Sequence, residues 1–206
     1  MRYINGSSTV WNKCIDLAIE GYNSGSMGIS SIIINENNII VGSGRNHLND
    51  SNGDTKAICN SVVAHAEINA LHSIGKDGME KHGYTLYTTV EPCPMCLGAI
   101  CMSRIRRVVI GSRDPFAGSI NAMQYNEYMK SKNIEVEYID GEIEIICCGI
   151  HYLSAKRALS DRPGHKFFDA FSSKYGEVVD RIEKRINDYE INVNELIKEE
   201  IMEYFI

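Results

Sequence analysis

His65 and Glu67 stand two residues apart, and further along the chain comes Pro92-Cys93-Pro94-Met95-Cys96. One imidazole and two thiolates give zinc three protein ligands and leave the fourth tetrahedral position for water. A purely structural zinc site is closed by a fourth Cys or His, whereas three ligands with an acid beside them point to catalysis. Glu67 is poorly spaced to share the ion with His65 but well placed to handle the protons of a water.

Such residues need helix starts to stand on. From Ala64, the positions Ala66, Ala70, Leu71 and Ile74 recur at helical spacing up to Gly75, which puts His65 and Glu67 in a first turn. Tyr84 to Thr89 alternates as a strand does, and Glu91-Pro92 stops it. Cys93 and Cys96 then sit three apart at a helix start, on one face, where the helix dipole favours the thiolate of each. Arg107 to Ser112 reads as the next strand, so strand, helix and strand imply a parallel pair with a right-handed crossover.

Upstream, Thr9 is a plausible N-cap for a helix over 9–23 carried by Val10, Cys14, Leu17 and Ala18, and Gly25 to Gly28 breaks it. Ile32-Ile33-Ile34 and Ile39-Ile40-Val41 flank Asn35-Glu36-Asn37-Asn38 as a β-hairpin. His47 to Val63 forms a long polar loop, in which His47 reads as solvated rather than metal-bound. His72 has no partner at metal spacing. Ile134 to Ile139 and Ile143 to Ile146 surround Asp140-Gly141 as a second hairpin would.

The stretches His65-Ala66-Glu67-Ile68-Asn69-Ala70-Leu71 and Thr85 to Ile100 closely resemble the cytidine deaminase superfamily. The branch is the one holding bacterial tRNA adenosine deaminases, guanine deaminases and fungal cytosine deaminases. Ser103-Arg104-Ile105, Val108 to Gly111 and Arg113-Asp114 look most like the tRNA enzymes, while Cys93 to Ile100 is equally at home in guanine deaminases. The resemblance covers residues 9 to 120 and fades beyond. It implies a three-layer α/β/α fold with a mixed sheet of about five strands, plus a helical C-terminal extension. It also implies Zn2+ held by His65, Cys93 and Cys96, with Glu67 as the catalytic proton shuttle. Asn46, in a Gly-x-Asn match, would hydrogen-bond the substrate ring, although an Asn there also suits a turn cap. Ala66, Val90, Glu91 and Pro92 are the other substrate contacts so implied. Where relatives carry Pro-x-Gly-Ala this chain has Gly28-Ile29-Ser30-Ser31, a departure in the pocket wall. In the tRNA enzymes a helix with a Glu-Cys start follows the last strand, so Glu144 to Ile150 is either that helix or the second strand of the hairpin.

The domain organisation expected is a deaminase unit over 1–160 and a helical extension over 161–206, with Arg162-Pro163-Gly164 as the break. In the extension, Val178, Val179, Ile182, Ile186 and Tyr189 mark one amphipathic helix and Leu196, Ile197, Ile201 and Phe205 a second. They would cover apolar surface on the same domain or on a partner, and a homodimer is expected.

At 206 residues the chain can bury one core, and 44% hydrophobic with 23% charged residues suits a globular protein. No apolar run approaches the roughly eighteen residues of a membrane helix. The N-terminal residues lack a signal-peptide stretch. Cys14, Cys59, Cys101, Cys147 and Cys148 read as small buried hydrophobes, which with zinc thiolates suits a cytoplasmic protein. A net charge of −6 gives no overall attraction to nucleic acid, and residues 151–206 hold nine basic against eleven acidic side chains. Arg104, Arg106, Arg107 and Arg113 form one basic cluster. The favoured reading is deamination of a small nucleobase or nucleoside. The alternatives are tRNA adenosine deamination, which would form wobble inosine, and a non-catalytic zinc-binding partner subunit.

Overall fold

The computed structural model describes residues 7–51, 56–75, 79, 83–188 and 191–206. Five strands form one mixed sheet: β1 (Ser30–Ile34), β2 (Ile40–Arg45), β3 (Tyr84–Val90), β4 (Ile105–Ser112) and β5 (Glu135–Tyr138), in the order β2-β1-β3-β4-β5. β1 is antiparallel to β2 and β3, whereas β3, β4 and β5 are parallel, as the strand-helix-strand order requires. The helices are α1 (Ser7–Asn23), α2 (Ala66–Ile74), α3 (Pro94–Met102), α4 (Glu127–Ser131), α5 (Glu142–Ala158), α6 (Lys166–Asn187) and α7 (Lys198–Phe205).

The alternation of the strands sorts the core into two faces. Ile32, Ile34, Tyr87 and Val109 pack with Val10, Trp11 and Cys14 of α1 and Cys147 of α5. Ile33, Leu86, Val108 and Ile110 pack on the opposite face with Ala70 of α2 and Ile100 of α3. With both faces covered, every residue of β1 is buried. The hairpin turn is built by asparagines: Asn35 Oδ1 accepts the N–H of Asn37 and of Ile39 at 3.0 Å, and Asn38 takes φ 59°.

The segment after Gly141 is a single helix, so the hairpin reading of 134–146 gives way to strand β5 followed by α5. Ile146, Cys147, Cys148 and Ile150 are all buried, because α5 lies between the sheet and the C-terminal helices. A helix apolar on every side has no amphipathic period, and that is why its sequence looked strand-like.

The C-terminal segment folds back on its own chain. Phe171 and Ile182 of α6 and Phe205 of α7 are buried against Ile15, Ala18 and Tyr22 of α1 and Ile146, Ile150 and Leu153 of α5. Both expected amphipathic helices are present, the first already starting at Lys166 and broken at Tyr175 (φ −126°, ψ 31°). Of the expected markers, Tyr189 lies outside the described residues.

Candidate active site

α2 and α3 begin side by side, and their first positions carry the chemistry. His65 is the N-cap of α2 and Cys93 the N-cap of α3, both with extended backbone, so His65 stands one residue before the helix rather than in its first turn. Each cap carbonyl takes the first helical hydrogen bond, from Asn69 N and Leu97 N at 2.9 Å. The positive ends of two helix dipoles therefore meet at one point.

There His65 Nδ1 lies 3.6 Å from Cys93 Sγ and 3.5 Å from Cys96 Sγ. Among the described residues these three form the one group able to hold a metal, with ligand atoms all within 4.8 Å of one another. Zinc bonded at about 2.0–2.1 Å to nitrogen and about 2.3 Å to sulfur, with tetrahedral angles, sets the two donors about 3.6 Å apart. The donor set fits that ion.

Without an ion between them, the two thiols share a proton, and zinc bound there would hold both as thiolates. The hydrogen bond from Cys96 brings Cys93 down to about 4, with His65 adding to the effect. Cys96 is pushed up because its proton is shared with Cys93, and burial and Glu67 push it further. The same bond to Cys93 raises His65. Glu67, in the first turn of α2 and buried, is raised above the usual carboxylate range chiefly by that burial.

A cavity of about 180 Å³ opens beside these groups. His65, Ala66, Glu67, Val90, Glu91, Cys93 and Asn46 all line it. Cys96 lies fully buried beneath. Pro92 is not in the lining; it is buried and its carbonyl accepts Ser119 N at 3.1 Å. Glu91 is tied back as well, Oε1 accepting Ile120 N at 3.2 Å. A wider cleft of about 250 Å³ beside Arg45, His47 and Ser73 contains none of the metal-binding side chains.

Asn46 combines its two readings. Oδ1 accepts Leu48 N at 3.0 Å and Met27 N at 3.4 Å, as a turn cap does. Nδ2 has no partner among the described residues, and so a donor remains at the cavity. The departure at Gly28 to Ser31 is absorbed locally: Ser30 Oγ donates to Cys14 O and Ser31 Oγ to Tyr87 O, at 2.6 and 2.8 Å, while Ile29 meets the cavity. Close packing of β2 on α2 sets Asn46 against His65, for a Cβ on Gly44 would stand 2.4 Å from Ala70 N.

Other side chains around the site take roles that the sequence reading did not assign. Asp50 joins the turn after α1 to the end of β2: Oδ1 accepts Ser26 Oγ at 2.6 Å, and Oδ2 pairs with Arg45 at 2.7 Å. His47, expected in solvent, instead holds Asp50 at 2.9 Å. Asn69 pins the long loop by exchanging hydrogen bonds with the backbone of Ile58. His151 of α5 and Asp114, which follows β4, also line the cavity. For Asp114 the Arg113-Asp114 match was a signal; for His151 none existed until α5 was known to be a helix.

A mixed five-stranded sheet thus presents an imidazole and two thiols able to hold a metal, with a buried carboxylate beside them at paired helix starts. The chain belongs to the cytidine and deoxycytidylate deaminase family, whose zinc-binding region matches residues 5–112, just over half of it. It is 37% identical over 92 residues to the tRNA-specific adenosine deaminase of Bacillus subtilis, a match covering 43% of this chain and 56% of that protein. It is 33% identical over 106 residues to the cytosine deaminase of Candida albicans, covering 51% and 65%. The chain thus spans less than two thirds of either relative. A guanine deaminase structure from Nitrosomonas europaea superposes with a TM-score of 0.55 at 18% identity, covering 76% of this chain and 87% of that one, a likeness of fold.

Proposed function

We propose that this chain is a zinc-dependent aminohydrolase that removes an exocyclic amino group from a free nucleobase or nucleoside as ammonia. The observation carrying this reading is the buried carboxylate of Glu67 beside the His65, Cys93 and Cys96 donors, on a small cavity whose lining has no lysine or arginine. When bound by those three side chains, zinc supplies a Lewis acid that brings the pKa of a water towards neutral. Glu67 takes a proton from the attacking water and returns protons to the ring nitrogen and to the departing amine. One water is consumed, and a ring C–NH2 becomes C=O. Asn46 orients the ring through Nδ2, and Ala66 and Val90 give apolar walls.

Size and charge favour a small substrate. About 180 Å³ lies below the roughly 300–1,000 Å³ of drug-sized sites. Glu91 and Asp114 line the cavity and oppose a phosphate there. Two members of the basic cluster face acids: Arg107 pairs with Glu137, and Arg113 lies 3.3 Å from Glu144. The second reading, deamination of adenosine in tRNA, draws on Asp114 of the Arg113-Asp114 match standing at the cavity and on the Bacillus relative. An intact Glu67 at the donor set weighs against a non-catalytic zinc-binding subunit.

Ammonia release should be assayed across nucleobases, nucleosides, nucleotides and tRNA, with inosine sequencing of the tRNA. Release from at least one free base or nucleoside is the expected result. Inosine at the wobble position with no ammonia from the small compounds would overturn it.

A further inference from the structure

We propose that His151 is a specificity-determining residue of this site, hydrogen-bonding an edge of the substrate ring; the proposal rests on the deaminase reading above. His151 belongs to α5, outside the matched residues 5–112, and only 4% of it is exposed. It lines the same cavity as Glu67 and Asn46.

Its Nδ1 is sealed from solvent and has no hydrogen-bond partner. Among the described residues one other buried side-chain atom shares that condition, Trp11 Nε1, and Trp11 sits in the core against Tyr87, away from the cavity. Leaving a buried polar atom unpaired costs about 1–3 kcal/mol, and native structures keep few such atoms. On a residue that lines a ligand cavity, such an orphan has a use: its partner arrives with the ligand.

The ring is held for that purpose by the C-terminal helices. Phe167 and Phe171 of α6 stack on each other at 4.3 Å, and the imidazole meets both in T-shaped contacts, at 5.4 and 5.1 Å between centroids. These contacts set the ring plane before any ligand enters, which lowers the ordering cost of binding. Burial keeps the imidazole neutral, outweighing the pull of Asp114, the acid that acts on it across the cavity wall. A neutral imidazole has one N–H donor and one bare nitrogen acceptor. Nδ1, donor in one tautomer and acceptor in the other, suits a ring nitrogen, carbonyl or amine of an uncharged heteroaromatic ring, and a neutral imidazole has no charge to draw a phosphate. The extension thereby acquires a role at the site: its aromatic side chains orient a residue that reads the substrate.

Binding can be measured without turnover in the Glu67→Gln protein loaded with zinc, by calorimetric titration with guanine, adenine, cytosine and their nucleosides. Adding His151→Phe keeps an aromatic ring and removes both nitrogens; adding His151→Gln retains a donor and an acceptor. The compound bound best should lose at least tenfold in affinity with Phe and recover most of it with Gln, at unchanged zinc content and melting temperature. Affinity within twofold in the Phe variant would overturn the proposal and make His151 a packing residue. If the Phe variant fails to fold, His151→Leu, which also removes both nitrogens, takes its place: a loss of at least tenfold supports the role, and affinity within twofold overturns it. Should the parent bind no base or nucleoside, the deaminase reading falls and this one with it, and the failure is told apart because it lies in the parent.

Discussion

The hydroxyl of Tyr175 accepts the backbone N–H of Arg113 at 2.8 Å and donates to Glu144 Oε1 at 3.0 Å. It joins the break in α6 to the residue just before Asp114, which lines the cavity. Tyr175→Phe leaves a half-buried N–H without its acceptor. The expected loss is about 1–3 kcal/mol in urea unfolding, with zinc content unchanged.

Glu67→Ala should keep the fold and the metal and lose kcat by about 10²–10⁴ or more, since proton transfer and water orientation depend on one carboxylate. Steady-state ammonia release with elemental analysis on the same sample checks this. Near-normal turnover would assign the protons to another group.

The purified protein is expected to carry one zinc per chain. Cys93→Ala with Cys96→Ala should abolish it, because an imidazole alone cannot hold the ion tightly. Zinc fully retained in the double variant would place the metal elsewhere.

Acid should weaken the end of β2 that carries Asn46. Hydrogen bonds from Arg45, Ser26 and Ser24, together with the Arg45 charge, hold Asp50 at about 2 although burial opposes them. Its folded pKa lies below the unfolded value of 3.8, so its contribution is complete above pH 4 and is lost as pH falls towards 2. Denaturant unfolding should show stability dropping through that window, and Asp50→Asn should flatten the drop while lowering stability at pH 7.

A homodimer remains our expectation on resemblance, because the apolar face of α6 and α7 is already covered within the chain. Light scattering at micromolar concentration should return about twice 23.1 kDa. A clean monomer would remove the expectation.

The sequence by itself determined the donor set and the sheet that presents it. His65, Glu67, Cys93 and Cys96 are legible because metal chemistry constrains residue type and short-range spacing, and because helix starts and strand periods are local signals. Local signals do not reach further. That His65 Nδ1 comes within 3.6 Å of both sulfurs depends on α2 and α3 starting side by side. That Pro92 turns away from the cavity while Asp114 enters it depends on the paths of the loops after β3 and β4. His151 was invisible for the strongest reason: α5 is buried on all sides, so its sequence has no amphipathic period, and the phenylalanines that hold the ring follow some sixteen to twenty residues later, in a helix of the extension. Only tertiary packing brings them together, since burial and contact across the chain are properties of the folded whole.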